Sequence, residues 1–107
     1  MKLIVSIVQD ADADAVLESM AKKGYRSTKI GSTGGFLFRG NTTILTGVQD
    51  DQVQDVLGIF GACCKTRREF VSPPAATLAE AVWTEPFEVE IGGANIFILN
   101  VERFERI

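Results

Sequence analysis

Apolar residues fall on both sides of the opening segment. Leu3, Val5 and Ile7 alternate to one side, and Ile4 and Val8 to the other. An extended chain sends successive side chains to opposite faces, so residues 2–9 read as a strand with two apolar faces. After Gln9 the period changes. Ala13, Val16, Leu17, Met20 and Ala21 recur at helical spacing, and Val53, Val56, Leu57 and Phe60 do the same. The pattern predicts helices over about 11–23 and 51–64. It predicts strands over about 2–9, 25–32, 36–48 and 95–101, with 87–91 as a candidate short strand. Asp10 and Asp50 stand where natural N-caps stand, and Gly24 where the first helix would close.

The two halves echo each other. Val8-Gln9-Asp10 falls on Val48-Gln49-Asp50 under a shift of about 40 positions, with Ile4 on Ile44 and Val16-Leu17 on Val56-Leu57. A true repeat and two merely similar strand–helix units give the same layout. That layout is βαββαβ in one domain spanning 1–107, an α+β ferredoxin-like plait with a four-stranded antiparallel sheet and both helices on one face. The last strand, Ile96-Phe97-Ile98-Leu99, is apolar on both faces like the first. Helices cover one face only, so the other needs a second copy of the chain or the segment 65–86 folded back over it. That segment is a long loop before the last strand, longer than connections in small domains usually are.

Composition narrows the classes of function. There is no histidine, which removes Ser-His-Asp and Cys-His catalysis and histidine zinc sites. The net charge of −3 argues against a protein that coats nucleic acid. No apolar run approaches the roughly 20 residues that cross a bilayer, and the N-terminus reads as a strand rather than a leader peptide. Cys63 and Cys64 are the only cysteines. Adjacent cysteines seldom bridge, so they read as reduced thiols, in keeping with a cytoplasmic protein. Asp10, Asp12, Asp14, Asp50 and Asp51 gather at the helix starts, where capping and solvation explain them. No nucleophile-and-base arrangement stands out, so the expectation is no enzyme, no cofactor and no metal.

Candidate chemistry lies with the glycines. One cluster runs Gly31-Ser32-Thr33-Gly34-Gly35-Phe36 and continues at Gly40-Asn41-Thr42-Thr43; another is Gly92-Gly93-Ala94-Asn95. Glycines make turns, and they also let backbone N–H groups approach an anion. Arg26, Lys29 and Arg39 are close enough in sequence to pair with phosphate. Phe36 can stack on a base or plug an interface, and Asn41 can read a base edge with one donor and one acceptor or simply start a strand. Neither cluster has the spacing of a P-loop or a dinucleotide-binding turn. Lys65, Arg67 and Arg68 follow the second helix, suiting its dipole or a phosphate. Trp83, the only tryptophan, either anchors a partner or ties the long loop down.

The segments 1–10 (MKLIVSIVQD), 25–29 (YRSTK), 32–37 (STGGFL), 40–43 (GNTT), 47–48 (GV) and 88–94 (EVEIGGA) resemble the PII-like cyclic di-AMP receptors, small bacterial signalling proteins. The resemblance runs nearly end to end and is weakest over 65–86. It implies a ferredoxin-like homotrimer with three equivalent sites at subunit interfaces, cyclic di-AMP as ligand and no catalysis. By position it implies ligand contacts from Arg26, Ser27, Thr28, Gly35, Phe36, Leu37, Asn41 and Gly47, and from Gly92, Gly93 and Phe97 near the last strand. It further implies that loops 31–40 and 65–86 reorder to regulate an unidentified partner protein. Ser27 stands where the family usually has alanine, Tyr25 where phenylalanine is common, and Arg106 where glutamine is frequent. A sensor of ATP, ADP or another small anion, and a ligand-free trimeric scaffold, are the competing readings.

Overall fold

A computed structural model of the chain describes residues 1–32, 40–71 and 87–107. The opening apolar run becomes the central strand β1 (Lys2–Gln9). It is followed by α1 (Asp10–Lys22), β2 (Ser27–Ser32), β3 (Asn41–Val48), a 3₁₀ turn (Asp50–Gln52), α2 (Val53–Cys63), β4 (Arg67–Val71), β5 (Phe87–Ile91) and β6 (Ala94–Asn100). The four-stranded sheet has the order β2-β3-β1-β6, antiparallel throughout, and β4 pairs with β5 in a separate two-stranded ribbon. This is the expected α+β plait.

The alternation along β1 sorts its side chains between two environments. Ile4, Ser6 and Val8 are fully buried, while Leu3, Val5 and Ile7 are only half-buried. On the buried face Ile4, Val8, Ile44 and Val48 pack with Ala13, Val16 and Met20 of α1 and with Val56, Ile59 and Phe60 of α2. Buried hydroxyls there find partners, as buried polar groups must. Ser6 Oγ donates to the Ile44 carbonyl at 3.1 Å, and the hydroxyls of Ser27 and Thr46 lie 3.0 Å apart. The other face carries Leu3, Val5, Ile7 and Leu45, with Ile30, Phe97 and Leu99 each exposed by 45% or more. The described residues leave that apolar face open.

Several expectations shift. Asp10 and Asp50 do not cap the helices: Gln9 and Gln49 occupy the N-cap positions. The Asp10 side chain is drawn to Thr42 and Asp50 to the N-terminal amine, and Gln49 closes a reciprocal box with Gln52. Ala21, expected on the core stripe, is exposed, while Ile59 and Cys64 join the core. Gly24 does follow α1 with φ of 81°, where a residue with a Cβ is strained. The first residues of the expected loop 65–86 instead form β4, because the alternating strand Phe87–Ile91 supplies a partner from about 20 residues on. Strand β3 begins at Asn41; residues 36–39 lie outside the described residues, as do Trp83 and Arg39.

Candidate functional site

Sequence order and strand pairing place Arg26, Thr28 and Gly47 on the same side of the sheet. Thr28 is opposite Leu45, Leu45 opposite Val5, and Gly47 opposite Leu3. Directly opposed residues of antiparallel strands share a face, so these groups look out over the open face near one sheet end. There they line a groove of about 470 Å³ together with Met1, Leu3, Ser27, Leu45, Val101 and Phe104. The floor is apolar and the rim carries one guanidinium and one hydroxyl.

Three details make the groove a candidate for an anionic, partly apolar ligand. Arg26 is exposed and makes no ion pair among the described residues, so its charge is available. Gly47 has nothing within 4 Å of where a Cβ would stand, so a ligand can lie against the bare backbone. Phe104, 66% exposed, hangs over the groove from the C-terminal tail. Ser27 lines the groove, yet its hydroxyl is already engaged with Thr46. Met1, Leu3, Leu45, Val101 and Phe104 were not singled out from sequence. Leu3 carried a signal in the two-sided strand pattern, whereas Leu45 is brought there by the pairing of β3 with β1, and Val101 and Phe104 only because the tail follows β6 beside β1.

The remaining expected ligand residues lie elsewhere. Asn41 opens β3, six positions before Gly47, hence roughly 20 Å away along the strand. It is 1% exposed and pairs with Gln9 and Ser32. Gly92 and Gly93 turn the chain between β5 and β6 at that same far end, with φ of 84° and 82°. The Gly92 N–H donates to Gln9 Oε1 at 2.7 Å, and the Gly93 N–H to the Cys64 carbonyl at 2.6 Å. Phe97 stands between the two ends, opposite Val5 on the open face and 49% exposed. One chain therefore presents two separate clusters, Arg26-Ser27-Thr28-Gly47 and Asn41-Gly92-Gly93. Gly35, Phe36 and Leu37 lie outside the described residues.

Elsewhere the titratable groups explain themselves. Lys23 and Tyr25 each donate to Asp55 at 2.6 Å, holding its carboxyl below the ordinary carboxylate range. The Asp50 carboxyl is lowered by the N-terminal amine bonded to it, aided by Lys2. Burial pushes the Cys64 thiol up to about 12, with the Asp12 carboxylate adding to the shift. Both cysteines are free thiols. No group of three or more histidine, cysteine, aspartate or glutamate side chains poised for a metal exists among the described residues. No helix among them is long and apolar enough to cross a membrane.

Comparison with known proteins gives the family and the fold. The family model described as "Cyclic-di-AMP receptor" matches residues 1–107, the whole chain. A solved structure, a functionally unknown protein from Pediococcus pentosaceus ATCC 25745, is 38% identical. It superposes with a TM-score of 0.77 over 99% of this chain and 96% of that one.

Proposed function

The chain belongs to the cyclic-di-AMP receptor family, and on that premise we propose that it is a non-catalytic, PII-like signalling protein that binds cyclic di-AMP between the subunits of a homotrimer. One observation carries the reading: Arg26, Thr28 and Gly47 converge on one groove with an apolar floor. Cyclic di-AMP offers two phosphates and two adenines. Arg26 and the Thr28 hydroxyl suit a phosphate, the bare backbone at Gly47 admits a base closely, and Phe104 gives that base a face to stack on.

A single chain supplies only half of such a site. Asn41, Gly92 and Gly93 sit at the far end of the sheet, so a ligand touching both clusters draws them from two copies. The open face with Ile30, Phe97 and Leu99 favours association of copies. Asn41 is 1% exposed, so a base reaches its amide by taking the place of the groups that now cover it. In this reading Gly35, Phe36 and Leu37 complete the site, ligand binding reorders segments 31–40 and 65–86, and a partner protein senses the change in a bacterial cytoplasm.

Calorimetric titration with cyclic di-AMP, with ATP and cyclic di-GMP as controls, tests the reading. The expected result is selective binding near one ligand per chain. Heat with ATP alone would assign the groove to a mononucleotide. No heat with any of the three would leave a ligand-free scaffold.

A further inference from the structure

Asn41 opens β3 and Gly92 lies in the turn between β5 and β6, yet two adjacent residues hold this region together. These are Gln9 and Asp10, where β1 turns into α1. The Asp10 N–H donates to the Gly40 carbonyl at 3.0 Å. Its carboxylate Oδ1 accepts from the buried Thr42 hydroxyl at 2.5 Å. One residue thus ties down both sequence neighbours of Asn41. The approach is close: a Cβ at Gly40 would stand 2.5 Å from Asp10 Oδ2, so a larger residue there displaces the carboxylate that Thr42 uses. Gln9 pairs with Asn41 in the β1–β3 ladder, and its side chain receives the Gly92 N–H at 2.7 Å. Gln9 is 2% exposed, so this bond is made away from water.

Asp10 is not the cap of α1, because Gln9 holds the N-cap position. From this geometry we infer that Asp10, with Gln9, is a positioning residue for the nucleotide site, presenting Asn41 and the Gly92 turn as one preformed unit. The inference rests on the cyclic di-AMP reading above. A base reader gains selectivity only if its amide is held in place before the base arrives. Asn41 is the first residue of its strand, and without the Asp10 ties the strand end would fray. Asp10 itself touches no ligand in this scheme.

The test compares Asp10→Ala, Asp10→Asn, Thr42→Val and Thr42→Ser with the unaltered protein, each titrated with cyclic di-AMP and cyclic di-GMP well below its melting temperature. Asp10→Ala and Thr42→Val should bind cyclic di-AMP roughly ten-fold more weakly, the size of one lost charge-assisted bond. Their preference over cyclic di-GMP should narrow by a similar factor. Asp10→Asn, whose amide oxygen still accepts, and Thr42→Ser, which still donates, should stay within about three-fold of the unaltered protein. A general loss of stability would lower the melting temperature and leave the preference intact. Equal affinity and equal preference in Thr42→Val would overturn the inference, even if Asp10→Ala fails to fold. If the unaltered protein binds no cyclic di-AMP, the functional reading falls instead, and amide hydrogen exchange decides the positioning role. Faster exchange at Asn41, Thr42 and Gly92 in Thr42→Val but not in Thr42→Ser supports it, and unchanged exchange sinks it.

Discussion

Arg67 Nη2 lies 2.9 Å from Asp12 Oδ1, joining the first residue of β4 to the first turn of α1. The Asp12 side chain is 6% exposed and that of Arg67 39%. Arg67 also donates to the Lys65 carbonyl at 3.0 Å, so one guanidinium ties the root of the β4–β5 ribbon to the main body. A two-stranded ribbon is marginal by itself, and anchors at its root decide whether it holds. Asp12→Ala should destabilise the protein by about 1–2 kcal/mol in urea unfolding. That is less than the loss of a fully buried pair, because the freed guanidinium regains water. Asp12→Asn, which keeps an acceptor, should cost less.

The groove can be closed without disturbing the fold. Gly47 has open space at its Cβ position and no positive φ, and a β-branched residue suits a strand. Gly47→Val should therefore melt within a few degrees of the unaltered protein. The same side chain would occupy the space against the bare backbone. Cyclic di-AMP affinity measured by calorimetry should fall by roughly ten-fold or more, a loss of about 1.4 kcal/mol. Unchanged affinity would remove Gly47 from the site.

The neighbouring glycines of the β5–β6 turn should answer differently to the same substitution. Both have left-handed φ, which costs a residue with a Cβ about 1–2 kcal/mol. Beyond that strain, a Cβ on Gly92 would meet the Lys65 carbonyl oxygen at 2.3 Å, whereas on Gly93 the nearest atom is Thr66 Oγ1 at 3.4 Å. Gly93→Ala should lose about 1–2 kcal/mol in denaturant unfolding, and Gly92→Ala about 3 kcal/mol or more. Equal losses would show that the turn relaxes around Gly92.

The Lys23–Asp55–Tyr25 cluster gives the fold a pH dependence at both extremes. The folded Asp55 pKa lies below its ordinary value of 3.8, chiefly through the bond from Lys23. Its stabilisation is therefore present above pH 3.8 and is lost as pH falls through the lowered value. The Tyr25 pKa is raised above 10.0 by its bond to Asp55, so its contribution is present below pH 10 and is lost as pH rises through the raised value. Melting temperatures at pH 2–11 should fall at both ends. In Asp55→Asn both slopes should flatten, since one carboxylate serves both partners. An alkaline slope identical in the variant would show that Tyr25 plays no part.

Much of this was legible in the residue pattern. The two-sided β1, the helical spacing of Val16 and Met20 and of Val56 and Phe60, and the open βαββαβ order are all local signals, set by which residues can share a face. Gly24 announced its own turn. The helix caps were misread because Asp10 and Asp50 have the right chemistry for capping, but partners distant in sequence, Thr42 and the N-terminal amine, take their carboxylates. Strand β4 was hidden because Arg67–Val71 lacks a clean alternation and pairs only with residues about 20 positions later.

The candidate site divides along the same line. Arg26, Thr28 and Gly47 could be nominated from residue type and resemblance, and strand register then brought them to one groove. Nothing local said that Phe104 would hang over that groove, that Asn41 would lie roughly 20 Å along β3 from Gly47, or that Gln9 and Asp10 would hold Asn41 and Gly92 together. Sequence by itself determined the periodicities, hence the elements, their faces and the class of fold. Tertiary structure alone decided which side chains meet, because hydrogen bonds such as Thr42 to Asp10 and Gly92 to Gln9 span 32 and 83 positions and exist only once the sheet has set its register.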